Sequence, residues 1–263
     1  HGITGNNWWD SKLNNSMYCT QDDSVKTVGS STAAGQMSPR NLLTTTVGDE
    51  LKLASNFKSK VVGIALKDRG GILSAGHSAD AAYWLDSKTG DWISSSYYMS
   101  ELPKWLKELN EKKIINEYYQ RGWSTLHPIE TYVQSTADRT TYENITFGAG
   151  SGFPYDLSKY IGRSYSHIMA TPFGNSITFE ISKAALVAEQ MGQDHFTDLL
   201  AVSFSSPDYI GHTFGPNSVE AEDGFLRLDK DLGELFDYLD RTVGKGQYVS
   251  FLTADHGVAH VPG

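Results

Sequence analysis

The chain has 263 residues, room for one large domain or two small ones, and its 39% hydrophobic and 20% charged residues describe an ordinary globular protein. A formal charge of −9 with no basic stripe to offset it argues against a general nucleic-acid binder, so an anionic substrate would need a local cationic site. No apolar run approaches the roughly 18 residues of a membrane span, and Cys19, the single cysteine, excludes an intrachain disulfide framework or a thiolate metal cluster.

The first stretch, "HGITGNNWWD", offers Asn6 and Asn7 in a glycine-bearing loop before two tryptophans. A carboxamide can donate to a phosphate oxygen without adding charge; a turn packed by Trp8 and Trp9 is the structural alternative. "NLLTTTVGDELKLAS" reads as helix, and places Thr44, Thr45 and Thr46 in a helical stretch rather than in a nucleophile's setting. "KVVGIAL" (60–66) is a short β-branched run of the kind buried in parallel sheets. It ends in "LKDRGG", where an extended backbone would send Lys67 and Arg69 to one side and Asp68 to the other. Arg offers a planar fork for two phosphate oxygens and Lys a compact charge; a solvated surface pair is the alternative.

From about Trp92 to Thr171 the helix–strand rhythm gives way to a stretch rich in Tyr, Trp, Ser and Gly, read either as a lid inserted over the sheet edge or as an irregular excursion. Two Asn-x-Ser/Thr patterns, at Asn14 and Asn144, fit the glycosylation signature, which recurs often by chance. "SITFEISKAALVAEQMG" is helical with Gly192 as its stop, and "DLLAVSFSS" (198–206) is a second buried strand. In the next helical segment Phe225, Leu228, Leu232, Leu235, Phe236 and Leu239 recur at spacings of three and four, predicting one apolar face with acidic residues opposite. "YVSFLTA" (248–254) is a third apolar strand.

Strands alternating with helices predict an α/β fold with a largely parallel central sheet covered by helices on both faces. The ends of those strands carry the chemistry. "PDYIGH" follows the second and supplies Asp208 and His212, which share a face if the chain turns helically. Asp255 and His256 follow the third; if that strand stops at Ala254, both converge at its carboxyl end, where ligands collect in open α/β sheets. A turn-capping Asp beside a surface His is the plain alternative for that dipeptide. Two Asp–His pairs suit divalent metal, and two ions about 4 Å apart could clamp the attacking and leaving oxygens of a phosphoryl transfer. His77 and His260 fit structural hydrogen bonds better than ligation.

"HGITGNNWWD", "KVVGIALKDRGG", "SFSSPDYIGHTFGP" and "TADHGVAHVPG" together resemble the alkaline phosphatase superfamily, in its branch of bacterial phosphate-irrepressible alkaline phosphatases related to type I phosphodiesterases and nucleotide pyrophosphatases. The likeness runs the length of the chain. It implies a metallophosphatase core at 1–91 and 172–263, incomplete at both ends, with 92–171 as a lid-like insertion. It implies Asp208 and His212 on one zinc, Asp255 and His256 on the other, and Lys67, Arg69 and Asn6 on the substrate phosphate. The family's nucleophile would lie upstream of His1, and further zinc ligands would lie outside this sequence, so the chain reads as an internal fragment, inactive alone. The activity implied is zinc-dependent hydrolysis of small phosphate monoesters, in the periplasm or outside the cell, without a nucleic-acid surface. Diester or pyrophosphate hydrolysis on the same fold is the near alternative, and a non-catalytic phosphate- or metal-binding module the distant one.

Overall fold

The computed structural model describes residues 1–140, 146–147 and 152–260. The glycosylation pattern at Asn144 falls largely outside them. The chain forms two compact units, one of residues 1–112 and 184–203, the other of residues 113–183 and 204–263.

The first unit opens with an antiparallel hairpin, β1 (Asn7–Asp10) and β2 (Asn15–Tyr18). Asp10 shapes its turn by accepting from the amides of Lys12 and Leu13 at 2.8 and 3.1 Å, and Asn14 takes a left-handed φ of 49°. A five-stranded sheet follows, built from β3 (Thr27–Val28), β4 (Val61–Ala65), β5 (Ala81–Asp86), β6 (Asp91–Ser95) and β7 (Leu199–Ser203) in the order β3-β6-β5-β4-β7. β4 pairs in parallel with β5 and β7, whereas β6 and β3 join antiparallel, so the α/β expectation holds with a mixed sheet. Every residue of β4 and β5 is buried, which is why their sequences read as continuous apolar runs rather than alternating ones.

Helices α1 (Val47–Ala54), α2 (Asp68–Ala75) and α3 (Lys104–Glu111) complete this unit. Successive strand residues face opposite sides. Ala82 and Trp84 of β5 cluster with Ile72 of α2 and Ile93 of β6 on one face, while Tyr83 on the other meets the Trp105 ring of α3 edge-on at 5.6 Å. α1 begins with a capping box in which the Thr46 side chain accepts the Asp49 amide and the Asp49 side chain accepts the Thr46 amide, so Thr44–Thr46 precede the helix and do not lie inside it as expected. The buried Asp49 carboxylate that closes this box also accepts the amide of Ser78 at 2.6 Å, and Thr46 Oγ1 reaches the Ala75 carbonyl at the end of α2. Asp22, another buried carboxylate, accepts from Ser24 Oγ, Ser38 Oγ and Arg40 Nη1 at 2.5, 2.6 and 2.9 Å.

The second unit holds α4 (Ile114–Arg121), most of α5 (Phe173–Ala188), α6 (Ser206–Phe214) and α7 (Val219–Leu239). Trp123 and Tyr155 exchange backbone hydrogen bonds at 2.9 and 2.8 Å and pack with Phe147, Phe153 and Phe214 into an aromatic core. Three sequence expectations need correction. Trp92–Ser95, the first residues of the expected insertion, belong to the sheet as part of β6, because their backbone pairs with β5. The apolar stripe of α7 is only partly covered: Leu228, Leu232, Leu235 and Leu239 are half-buried and Phe225 and Phe236 exposed, while Glu220 and Asp223 are fully buried. Polar partners make that burial tolerable, since Asp223 accepts from Trp123 Nε1, Tyr132 Oη, the Leu126 amide and Arg227 Nε within 2.7 Å. Residues 248–254 form no strand; Val249, Phe251 and Leu252 stand exposed, and among the described residues no neighbouring strand supplies the ladder that β propensity alone cannot replace.

Candidate phosphate-binding and metal-binding residues

In the first unit, β4 ends at Ala65, Leu66 is buried, and Lys67 becomes the N-cap of α2. α2 can lie this close to the sheet only because of glycines. A Cβ on Gly63 would stand 2.1 Å from the Gly71 carbonyl oxygen, and one on Gly70 would stand 2.9 Å from Ser203 Oγ. The cationic turn therefore leaves at the carboxyl end of a central strand, where the α2 amides point outward and favour anions. Because Asp68 and Arg69 are already helical, their directions follow helix geometry and not the extended alternation expected from the sequence.

Asp68 accepts the hydroxyls of Tyr18 (3.0 Å) and Thr20, and the Tyr18 hydroxyl in turn accepts Arg69 Nη1 at 3.2 Å. Burial pushes the Asp68 carboxyl above the usual carboxylate range, partly opposed by the Thr20 and Tyr18 hydrogen bonds, and burial beside Asp68 pushes the Tyr18 phenol up strongly. Asn6, exposed, passes its carbonyl to the Cys19 amide at 2.9 Å, on the residue after Tyr18. The fold thus brings Asn6 and Arg69 to the same strand end of β2. Tyr18 and Thr20 escaped the sequence reading because they stand some fifty residues from Asp68 with no local pattern to flag them.

In the second unit, α6 buries Ser206, Ile210 and Phe214, four residues apart, against its aromatic neighbours. Two positions on, Asp208 and His212 turn to the other side of the helix, as the 100° step requires. His212 Nε2 lies 3.2 Å from Asp208 Oδ1. His256 Nε2 lies 3.7 Å from that same oxygen and 3.6 Å from Asp255 Oδ2. The four residues singled out as two pairs are therefore gathered at one place, with Asp208 between the imidazoles. Asp255 and His256 sit on exposed coil, with Asp255 90% exposed. Among the described residues no group of three or more His, Cys, Asp or Glu side chains is set to hold one ion together. The donor chemistry nonetheless suits zinc: carboxylate oxygen and imidazole nitrogen, two of each, with room for an ion between partners still at 3.2–3.7 Å. His260 Nδ1 pairs with Asn217 Nδ2 at 2.8 Å, a structural bond.

A family model described as type I phosphodiesterase/nucleotide pyrophosphatase matches residues 1–263. The chain belongs to the type I phosphodiesterase/nucleotide pyrophosphatase family. Within and around this family its similarities are to alkaline phosphatase PhoV of Synechococcus elongatus, 55% identical over all of this chain and 48% of the relative. A protein named calcium-transporting ATPase from Myroides odoratus is 54% identical over the same shares. Alkaline phosphatase PafA of Elizabethkingia meningoseptica is 50% identical, and its crystal structure superposes with a TM-score of 0.97 over 99% of this chain and 51% of that one. This family member thus spans about half the length of the curated relatives it matches. No helix among the described residues is long and apolar enough to cross a membrane.

Proposed function

We propose that this chain is the phosphate- and metal-binding half of a zinc-dependent phosphatase that hydrolyses small phosphate monoesters, with the nucleophile supplied from sequence before His1. The observation that carries the reading is the approach of His212 and His256, one imidazole from each pair, to the same oxygen, Asp208 Oδ1. Asp208 and His212 would hold one zinc ion, and Asp255 and His256 another. Zinc would supply Lewis-acid polarisation of phosphoryl oxygens and stabilise charge on the attacking and leaving oxygens. The chain's own contribution is to bind and orient the substrate. Arg69 presents a planar fork to two phosphoryl oxygens, Lys67 adds a point charge, and Asn6 donates a neutral hydrogen bond. The α2 N-terminus adds partial positive charge beside them.

Monoesters are favoured because they carry more negative charge on the phosphoryl group than diesters, and the Lys67/Arg69 pair meets that extra charge. The family description keeps diester and pyrophosphate cleavage as a second reading. Names of the similar phosphatases support an activity directed at phosphate esters. The deciding experiment is kcat/KM of the full gene product for an aryl phosphate monoester against the matching diester. Monoester preference of a hundredfold or more is expected; a diester preference would reverse the assignment.

A further inference from the structure

Lys67, Arg69 and the metal-type residues account for the chemistry, but not for how a long guanidinium at the mouth of β4 is kept pointing one way. An Arg side chain loses much rotamer freedom when fixed. We propose that Tyr18 is a positioning residue that locks Arg69 for phosphate binding, anchored in turn by Asp68 and Thr20. The inference rests on the reading of Arg69 as a phosphate ligand.

A carboxylate only accepts hydrogen bonds, a guanidinium only donates, and a phenol has one proton. Between Asp68 Oδ1 at 3.0 Å and Arg69 Nη1 at 3.2 Å, the Tyr18 hydroxyl must therefore donate to the first and accept from the second. The direction of the relay is fixed, and the negative charge of Asp68 polarises the phenol oxygen toward Arg69. Thr20, fully buried, occupies the other carboxylate oxygen, so Asp68 is held on both sides and cannot swing out to pair with a competing cation. The anchor is itself rigid. Tyr18 ends β2 in register with Asn7, and Asp68 is the first residue of α2, clamped onto β4 by glycine contacts. With one guanidinium hydrogen bond spent on Tyr18, the remaining N–H donors of Arg69 keep a single orientation. Such preorganisation strengthens binding by removing an ordering cost and not by adding a contact to substrate.

The same residues explain why Asp68, which would look misplaced between two phosphate-binding cations, does not neutralise them: its oxygens are engaged by hydroxyls on the side of β2. Loss of the Tyr18 hydroxyl should leave Arg69 charged but mobile. The phenotype expected is thus a weaker version of Arg69 removal, not an independent defect.

The test is a double-mutant cycle in the full gene product, read as kcat/KM for a phosphate monoester and as competitive inhibition by inorganic phosphate. Tyr18→Phe, which keeps the ring, should lower monoester kcat/KM and phosphate affinity about tenfold, the fold-change equivalent of one hydrogen bond to a charged group. In an Arg69→Ala background the same substitution should change either readout less than twofold. Thr20→Val, acting one bond further back, should show the same background dependence with a smaller loss. A Tyr18→Phe loss that persists undiminished without Arg69, or no loss in the presence of Arg69, would overturn the positioning role. Failure of the underlying reading looks different: Arg69→Ala alone would then leave phosphate inhibition unchanged. Should Tyr18→Phe fold poorly, Thr20→Val in both backgrounds carries the same decision.

Discussion

Replacing Gly63 with Ala tests whether the close seating of α2 on β4 sets the position of the cationic turn. The new Cβ would stand 2.1 Å from the Gly71 carbonyl oxygen and 2.9 Å from the Ala75 Cβ, whereas ordinary contacts of this kind begin at 3.4 Å. β4 is hydrogen-bonded to β5 on one side and β7 on the other, so the strand cannot retreat without breaking two ladders. α2 must yield instead, by a distance on the order of 1 Å, the shortfall in that contact. Overpacking of this kind costs about 1–3 kcal/mol, and backbone on both sides of the clash places this case at the upper end. Lys67, Asp68 and Arg69 open that helix, and a misplacement of about 1 Å can cost on the order of a hundredfold in turnover. The assay is a urea titration of the full gene product, followed by monoester kcat/KM under folding conditions. Gly233→Ala serves as the control: in the exposed middle of α7 an added Cβ meets nothing within 4 Å, and a gain of about 0.5–1 kcal/mol is expected. An unchanged urea midpoint together with unchanged kcat/KM for Gly63→Ala would refute the steric argument.

Three further outcomes are expected. Lys67→Ala combined with Arg69→Ala should lower kcat/KM for a monoester by about a hundredfold, from about 1.5–3 kcal/mol per charge-assisted contact, while sparing a diester by comparison; equal losses would leave the pair a structural role only. Prolonged dialysis against a chelator should abolish activity of the full gene product, zinc should restore it, and Asp208→Ala should prevent the restoration; activity that survives chelation with no bound metal by elemental analysis would end the metal reading. Burial alone would raise the Asp22 carboxyl, but hydrogen bonds from Ser24, Ser38 and Arg40 outweigh it and hold it down at about 2. With an unfolded value near 4, its contribution of about 2 kcal/mol is complete above that pH and is lost as the pH falls through 2. Asp22→Asn should therefore lower stability at pH 7 and flatten the acid limb of a stability–pH curve; a parallel acid limb in the variant would contradict the assignment.

The sequence made legible what depends on local periodicity. The runs at 60–66 and 198–206 became β4 and β7, and "PDYIGH" turned helically so that Asp208 and His212 share a face. What depends on partners distant in the chain was hidden. β6 exists because β5 offers it an edge, and the buried acids of α7 exist because Trp123, Tyr132 and Tyr155 reach them from far away. Asp68 is the clearest case. Alternation placed it opposite Lys67 and Arg69 with no role, and only the Tyr18 and Thr20 hydroxyls show that it is tied into their surroundings. The residues 248–254 show the converse limit, since β-branched and aromatic composition marked a strand that no neighbouring backbone among the described residues completes.

The Asp49 carboxylate has a consequence for motion. It accepts the Thr46 amide at 2.9 Å and the Ser78 amide at 2.6 Å, while Thr46 Oγ1 donates to the carbonyl of Ala75, the last residue of α2. The start of α1 and the passage from α2 into β5 cannot fray independently, because opening either one strips a buried anion of donors needed by both. Solvent protons should consequently reach the amides of Thr46 and Ser78 through one shared opening, at matched protection and with the same denaturant sensitivity, although the two residues belong to different elements. The far end of α2 then fluctuates with the body of the sheet and not as a loose terminus, so Lys67 and Arg69 inherit the slow clock of the core while standing at its surface.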